Sequence, residues 1–448
     1  MSNSLRPPVS IEPRICVIGA GPSGLTTLKN LRQTGLSDVV CYEATDAIGG
    51  NWVFRESDSH SSVYASTHLI SSRRLSQFED YPMPADFPDY PSHSQVLSYF
   101  NAYARHFEVL PCVRLNTVVE HAAREADGRW RITIKGPQGA AEESFDYLLV
   151  CSGHHFDPMI PRYPGQFSGR SLHSHSYKRA EPFRGLRVLV VGGGNSACDI
   201  AADLSRVAAC TALSMRRGYH IVPKIVFGMP VDVAYGRLRH LPKPMRRFIL
   251  EKGLQLLVGP WRRYGLQAPA RPLMEMHPTL NSDVLLQIRH GQITPRPGIA
   301  RLDGRTVIFT DGAAVEFDVI IWATGYRTSF PFFDRSFIDW SEALRLPLYL
   351  KMMPADCPNL YFIGLFQPIG CIWTLADYQA RIAALQIAGR LERPKNLQQR
   401  IEREMTATHW AFEERPRHQA EVDYYDFRKA LLRELKGARP ALPAPPHR

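Results

Sequence analysis

The chain has 448 residues, of which 44% are hydrophobic and 22% are charged, a composition typical of a folded protein with two or three domains. Its net charge is +11, but the basic residues are spread along the chain, so we predict a phosphate site and no nucleic-acid partner. No run of about 18 apolar residues is present, which argues against a transmembrane segment.

The first ten residues, "MSNSLRPPVS", contain no apolar core of the kind that secretory leaders have. The eight cysteines form no C-x-x-C pair and show no spacing typical of metal ligands. We therefore expect reduced thiols, no metal site and a cytoplasmic location.

The first predicted unit begins with the apolar strand "RICVIGA" and continues into a helix at "LTTLKNLRQTG". Between them, Gly19, Gly21 and Gly24 follow the G-x-G-x-x-G spacing that lets a backbone turn approach a pyrophosphate. A second strand, "DVVCYEA", brings Glu43 to a point 24 residues after Gly19, where a carboxylate can accept both hydroxyls of a ribose. This unit predicts a site for a dinucleotide with a free ribose, such as FAD.

A second unit with the same layout begins at the strand "RVLVVGG". Gly192, Gly194 and Ala197 fit G-x-G-x-x-A, and the next strand, "TALSMRRG", carries Arg216 to a point 24 residues after Gly192. Arg216 and Arg217 replace the acid of the first unit, and a guanidinium can bind a 2′-phosphate through two hydrogen bonds. The second unit predicts NADPH, unless the two arginines are only surface charges at a strand end.

Four further segments resemble motifs of the flavin-containing monooxygenase family, whose members are class B flavin-dependent monooxygenases. The segments follow one another in the same order as the motifs of that family. "YEATDAIGGNW" resembles the flavin segment of that family, and "FSGRSLHSHSYK" resembles its F-x-G-x-x-x-H-x-x-x-Y-K fingerprint. "WATGY" resembles F-A-T-G-Y, and "NLYFIGLFQPIGCIWTLADYQAR" is similar to the C-terminal flavin segment. The chain resembles this family over most of its length.

The resemblance implies two sets of cofactor-binding residues. Those for FAD are Gly19, Gly21, Pro22, Ser23, Gly24, Glu43, Gly50, Asn51, Trp52 and Gln367. Those for NADPH are Gly192, Gly194, Asn195, Ser196, Ala197, Arg216, Arg217, Ala323, Thr324 and Gly325. His173 of the fingerprint either helps to position NADPH or is a polar linker residue without a chemical role.

The architecture implied by the resemblance is an α/β fold of two Rossmann-like dinucleotide-binding domains, with the NADPH domain inserted into a discontinuous FAD domain. The FAD domain would cover residues 1–160 and 325–435, and the NADPH domain residues 161–324 with a helical insert at about 219–278. Residues 436–448, near a terminus rich in proline and alanine, are expected to form a loose tail. The resemblance also implies a homodimer.

For the reaction, the resemblance implies that NADPH reduces the flavin, that reduced flavin takes up O₂ as a hydroperoxide, and that one oxygen atom passes to a small organic substrate. N- or S-oxygenation is the first expectation, and Baeyer–Villiger oxidation of a carbonyl in a specialised biosynthetic pathway is the alternative. A non-oxygenating NADPH oxidase or a dinucleotide-binding flavoprotein is an alternative of another class. A disulfide reductase is disfavoured because no redox cysteine pair is present.

One position departs from the family pattern. Family members carry an Asn in a segment resembling Y-x-S-x-x-T-N-x-S, where its amide bonds near the flavin hydroperoxide, and "YASTHLISSRR" aligns Ile70 with that Asn. Ile cannot donate a hydrogen bond, so the usual stabilising group is missing or replaced. The candidates to replace it are His68, Ser71, Ser72 and Arg73.

The insert contains the segment "YGRLRHLPKPMRRFILEKGLQLLVGPWRRYG", in which an apolar stripe is flanked by Arg and Lys. A helix of this kind can lie on a membrane surface or against a partner subunit. It can also form part of an internal cap over the entrance to the active site. The pattern alone leaves these interpretations open, so peripheral membrane contact stays possible.

Overall fold

The computed structural model describes residues 12–57, 60–406 and 419–439. The N-terminal segment, for which the absence of a leader is predicted, and residues 440–448 of the predicted tail lie outside these ranges. Within them the chain is a mixed α/β protein.

The strands form two five-stranded parallel sheets and several smaller sheets. In chain order they are β1 (Ile15–Ile18), β2 (Val39–Tyr42), β3 (Val113–Arg114), β4 (Val118–Arg124), β5 (Trp130–Gly136), β6 (Gly139–Phe145), β7 (Tyr147–Val150), β8 (Asp157–Pro158), β9 (Gly165–Phe167), β10 (Arg170–His173), β11 (Arg187–Val191), β12 (Cys210–Ser214), β13 (Ile221–Val222), β14 (Ile225–Val226), β15 (Met229–Pro230), β16 (Thr279–Leu280), β17 (Ile293–Arg296), β18 (Ile299–Gly304), β19 (Thr306–Phe309), β20 (Ala314–Glu316), β21 (Val319–Trp322), β22 (Tyr326–Arg327), β23 (Leu360–Phe362), β24 (Gln367–Pro368) and β25 (Glu421–Val422).

The helices follow the strands in the pattern expected of α/β units. They are α1 (Pro22–Gln33), α2 (Arg73–Ser76), α3 (His93–His106), α4 (Asn195–Leu204), α5 (Val231–Arg237), α6 (Lys243–Val258), α7 (Asp283–Arg289), α8 (Ile372–Ile387), α9 (Leu397–Thr406) and α10 (Tyr424–Leu435).

The first large sheet has the strand order β23-β7-β1-β2-β3, and every neighbouring pair is parallel. Along β1, Ile15 and Val17 pack into the apolar cluster that contains the buried faces of α1 and α8. Cys16 and Ile18 point to the other face, which packs against Trp130 and its neighbours. Because β23 lies far along the chain from β7, two separated stretches of sequence build this domain.

The second large sheet has the order β10-β21-β11-β12-β17 and is also parallel. All of its strands lie between β7 and β23 in the chain, so the second domain is inserted into the first. In each domain a helix follows the central strand directly, α1 after β1 and α4 after β11. These features confirm the predicted fold of two Rossmann-like domains.

The segment between β12 and α7 departs from the second sheet and contains α5 and α6. It also contains short strands that the sequence did not predict. Strands β13 and β16 pair in parallel, which brings the two ends of the insert side by side.

The chain stays hydrogen-bonded to the first domain beyond residue 435, after which a loose tail is predicted. The Arg439 N–H donates to the carbonyl of Arg390 at 2.8 Å. Residues 436–439 therefore belong to the folded domain rather than to a loose tail.

A buried charged cluster joins α1 to α8. The Lys29 ammonium, with a fully buried side chain, contacts Asp377 at 2.6 Å and Asp80 at 2.7 Å. Asn30 donates to the same Asp377 oxygen at 2.8 Å, and Thr26 also bonds to it. Helices α1 and α8 are thus held together directly behind the first glycine-rich turn.

Candidate active site

The first glycine-rich turn closes so tightly that it requires glycine. Gly19 has φ +99°, and a Cβ atom there would lie 2.8 Å from the carbonyl oxygen of Cys151. A Cβ atom on Gly24 would lie 1.9 Å from the Gly19 oxygen. Gly21 instead leaves space, since the nearest atom to its Cβ position is the Gly50 α-carbon at 3.7 Å. This cradle at the N-terminus of α1 fits a pyrophosphate.

The first turn of α1 also contains Pro22 and Ser23. Pro22 occupies the first helical position, where its missing N–H removes no helix hydrogen bond. Ser23 lies against Gly364, just after β23, where a Cβ atom would meet the Ser23 hydroxyl at 2.2 Å. The two halves of the first domain therefore meet at this turn.

Glu43 follows β2 and its side chain is buried beside the turn. One carboxylate oxygen accepts the Ala20 N–H at 2.8 Å. The other accepts the N–H and the hydroxyl of Thr45 at 3.0 and 2.7 Å. Because each oxygen has two lone pairs, the first oxygen keeps the capacity to accept a ribose hydroxyl.

The loop that carries Gly50, Asn51 and Trp52 lies beside the same turn, since the Gly49 N–H donates to the Ala20 carbonyl at 2.9 Å. The Asn51 side-chain oxygen accepts the N–H of Ser62 at 2.7 Å. Trp52 meets the ring of Trp373 edge-on, with ring centres 5.6 Å apart.

Gln367 reaches this region from the C-terminal half of the chain. Its N–H donates to the carbonyl of Ala420 at 2.7 Å, and its side-chain oxygen lies 3.5 Å from His154 Nε2. Burial lowers the pKa of His154, so its imidazole is neutral at neutral pH.

The second glycine-rich turn repeats this geometry. Gly192 has φ +144°, and a Cβ atom there would lie 2.3 Å from the Ala323 carbonyl oxygen. Gly194 has open space around its Cβ position at the start of α4. Asn195, Ser196 and Ala197 form the first turn of α4, and no acidic side chain is among them. The turn therefore also fits a pyrophosphate.

A cleft of about 290 Å³ opens beside this second turn. Gly192, Ala323 and Thr324 line it, together with Arg216, whose side chain is exposed. Arg217 is only partly exposed and is not among the residues that line the cleft, although its guanidinium carbon lies 5.6 Å from the ring centre of Tyr219, which does line it. The two adjacent arginines therefore occupy different surroundings, and Arg216 stands where a 2′-phosphate could reach it.

His173 of the linker joins the return segment beside this cleft. Its Nε2 lies 3.1 Å from the carbonyl oxygen of Gly325, and its Nδ1 accepts the N–H of His175 at 3.1 Å. These partners require one protonated and one unprotonated ring nitrogen, which is the neutral imidazole. Burial agrees with this, since it lowers the pKa of His173 to about 4.

The loop that carries Ile70 is held by the insert of the other domain. The Lys224 ammonium donates to the carbonyl of Leu69 at 3.3 Å. The Asp232 carboxylate accepts the backbone N–H of Ser72 at 2.6 Å. Lys224 and Asp232 therefore bind the backbone on both sides of Ile70. Neither residue was predicted from the sequence, because 155 and 160 residues separate them from their partners in the loop.

Helix α4 holds the same loop further upstream. The Tyr64 hydroxyl donates to Asp199 at 3.1 Å, and the Ser66 hydroxyl donates to Asp203 at 3.0 Å. Asp199 and Asp203 are four residues apart and so share one face of the helix. The helix that begins at the second glycine-rich turn thus contacts the loop of the first domain directly.

Three candidates to replace the family Asn have bonds within their own loop region. His68 is exposed, and its Nδ1 lies 2.9 Å from the backbone carbonyl oxygen of Ser66. The Ser71 hydroxyl lies 2.8 Å from that of Ser76. Arg73 donates to the carbonyl of Pro84 at 2.6 Å. A replacement role for any of them stays a prediction.

Two glycine-rich turns that fit a pyrophosphate, one beside a buried glutamate and one beside an exposed arginine, are typical of an oxidoreductase that uses two dinucleotides. The family model described as flavin-binding monooxygenase-like matches residues 12–444. The chain belongs to this family, and it is an NADPH-dependent flavin monooxygenase that binds FAD and NADP(H).

Named relatives extend over nearly the whole chain. Dimethylaniline monooxygenase [N-oxide-forming] 2 of Cavia porcellus is 34% identical over 96% of this chain and 83% of its own. Flavin-containing monooxygenase 5 of Homo sapiens is 33% identical over 96% and 84%.

Solved structures share the fold. S-allyl-L-cysteine S-oxygenase from Allium sativum has a TM-score of 0.72 at 24% identity, covering 96% of this chain and 89% of its own. Cyclohexanone monooxygenase from Rhodococcus sp. Phi1 has a TM-score of 0.69 at 15% identity, covering 95% and 97%. No helix among the described residues is long and apolar enough to cross a membrane.

Proposed function

We propose that this enzyme transfers one atom of O₂ to a nitrogen or sulfur atom of a small organic substrate. The observation that carries the proposal is the similarity to relatives whose names specify N-oxide formation, over nearly the whole chain. Bound FAD, reduced by NADPH, supplies the activated oxygen.

In the first domain, we assign the pyrophosphate of FAD to the turn at Gly19, Gly21 and Gly24 and the N-terminus of α1, including Pro22 and Ser23. Glu43 would accept a ribose hydroxyl through the oxygen that keeps bonding capacity. The loop of Gly50, Asn51 and Trp52 would close over the group, with Gln367 approaching from the C-terminal half. The open space at Gly21 supports this assignment.

In the second domain, we assign NADPH to the turn at Gly192 and Gly194, with Asn195, Ser196 and Ala197 at the start of α4. Ala323, Thr324 and Gly325 would form the facing wall. Arg216 would bind the 2′-phosphate, supported by its position in the cleft. Arg217 would contribute less, because it is less exposed than Arg216 and is not among the residues that line the cleft.

The proposal also covers the domain limits, the oligomeric state and the location of the enzyme. The domain limits would be 1–160, 161–324 and 325–439, which keeps each parallel sheet within one domain. We also propose a homodimer and a cytoplasmic location. The eight cysteines all lie among the described residues and are free thiols, which supports the cytoplasmic location.

The decisive experiment is anaerobic reduction of the FAD-loaded enzyme by NADPH, followed by oxygen and a panel of amines, sulfides and ketones. We expect N-oxides or S-oxides that contain one atom of labelled O₂. Esters or lactones formed from the ketones alone would replace the proposal with Baeyer–Villiger oxidation. Stoichiometric H₂O₂ with every member of the panel would refute oxygen transfer.

A further inference from the structure

Helix α6 of the insert carries apolar side chains on two opposite faces. On its inner face, Leu254 and Val258 are buried in the core of the second domain. On its outer face stand four large apolar side chains whose exposed fractions are 43% for Met245, 61% for Phe248, 40% for Ile249 and 83% for Leu256. Their spacing of three, four and seven residues places them in one stripe along the helix.

This exposure is concentrated in the insert. Among the described residues, half of the exposed large apolar side chains lie between residues 225 and 257. Phe227, at the turn between β14 and β15, is 79% exposed and has φ +48°, which a bulky residue rarely adopts. Monomeric soluble proteins rarely group exposed apolar side chains in this way unless the surface binds something.

The charge around the stripe indicates what it binds. Residues 237–263 contain one acidic residue, Glu251, whose carboxylate accepts the N–H of Leu273 at 2.9 Å. Exposed cationic side chains surround the stripe in sequence: Arg237, Arg239, Lys252, Arg262 and Arg263, together with Lys243, which pairs with Asp426 at 2.8 Å. Lys252 lies within the stripe itself, one turn after Phe248, with its ammonium 5.9 Å from the ring centre.

We propose that the outer face of α6 binds the surface of an anionic lipid bilayer. The stripe from Met245 to Leu256 spans about 17 Å along the helix, so the helix would lie in the plane of the interface with its apolar side chains among the acyl chains. The cations would contact the anionic headgroups. A second copy of this chain is a poorer occupant, because facing copies would bring like charges together.

The experiment is co-sedimentation of the FAD-loaded enzyme with phosphatidylcholine vesicles, with and without phosphatidylglycerol. We expect binding only to the anionic vesicles, weakened by salt because the headgroup attraction is screened. The double variant Phe248→Ser/Leu256→Ser should weaken binding at least about tenfold, because it removes two side chains that would be buried in lipid. Lys252→Glu should weaken it as well.

The matched control is Leu286→Ser, which removes an apolar side chain that is 50% exposed on α7, outside the stripe. It should bind vesicles like the native enzyme. All variants should oxidise NADPH normally in solution, which separates this proposal from the catalytic one. Absence of binding to anionic vesicles at low salt would overturn the proposal. So would a concentration-dependent dimer, seen by light scattering, that the double variant abolishes.

Discussion

The carboxylate of Asp232, in the insert of the second domain, accepts a 2.6 Å hydrogen bond from the backbone N–H of Ser72, in the first domain. Ser72 lies two residues after Ile70, and Lys224 binds the carbonyl of Leu69 just before it. The insert therefore fixes the backbone on both sides of the position where the family pattern has Asn. Whatever group acts near Ile70, its position depends on the other domain.

We predict that Asp232→Ala diverts electrons from product to H₂O₂. Loss of one charge-assisted hydrogen bond of about 1.5 kcal/mol would raise H₂O₂ released per NADPH by about tenfold. The measurement is the ratio of H₂O₂ to NADPH consumed with a good substrate. Asp232→Asn keeps an acceptor and should restore most of the coupling. The surface variant Asp283→Ala should behave like the native enzyme, and equal ratios in all of these proteins would show that the contact does not position the loop.

The variant Ile70→Asn tests whether the replacement of the family Asn by Ile at this position affects oxygen transfer. Asn restores a donor at the position where the family carries one, so H₂O₂ released per NADPH should fall severalfold, while Ile70→Leu should leave it unchanged. Stopped-flow absorbance and peroxide assays measure the effect. An unchanged ratio in Ile70→Asn would mean that this position does not face the reacting atoms.

Arg216→Ala should raise KM for NADPH by about 10-fold to 100-fold, since a guanidinium bound to phosphate contributes about 1.5–3 kcal/mol. KM for NADH, which has no 2′-phosphate, should change less than about twofold. Arg217→Ala is the matched comparison and should have the smaller effect, because Arg217 is less exposed than Arg216 and is not among the residues that line the cleft. Parallel changes for both nucleotides would show that Arg216 does not contact the 2′-phosphate.

Asp377→Ala should destabilise the fold by about 3–5 kcal/mol, because it leaves the buried Lys29 ammonium without its main partner. Denaturant unfolding of the FAD-free and FAD-loaded protein measures the change. Asp80→Ala should cost less, since its side chain is 34% exposed. A similar loss in both variants would mean that Lys29 depends equally on the two carboxylates.

Protonation of His173 should contribute to acid destabilisation. Its pKa is about 4 in the folded protein, against about 6.5 in an unfolded chain, so the unfolded state binds more protons between these values. The stabilising contribution is complete above about pH 6.5 and is lost as the pH falls towards 4.

His173→Gln should therefore remove about 2 kcal/mol of the loss in unfolding free energy between about pH 7 and pH 5. Denaturant titrations at the two pH values measure it. His121→Gln, at a histidine whose side chain is 43% exposed, is the control. If His173→Gln leaves the pH dependence intact, the ring is not held in its neutral form.

The sequence by itself determined the two glycine-rich turns and the contrast between Glu43 and Arg216, whereas the discontinuous fold was implied by the family resemblance. The turns and the contrast depend on local spacing, since a turn, its helix and the next strand lie within about 25 residues and their chemistry follows from residue type. The helical character of the insert was predicted for the same reason, because periodicity is local.

Only the tertiary structure decided which groups meet across the two domains. Lys224 and Asp232 contact the loop of Ile70 across 155 and 160 residues of sequence, and no spacing in the sequence indicates these contacts. It also distinguished Arg216, which is exposed and lines the cleft, from the partly buried Arg217, although the two are neighbours in the chain. The direction of a side chain and the exposed face of α6 depend on what packs against each element, and this is established only when distant parts of the chain come together.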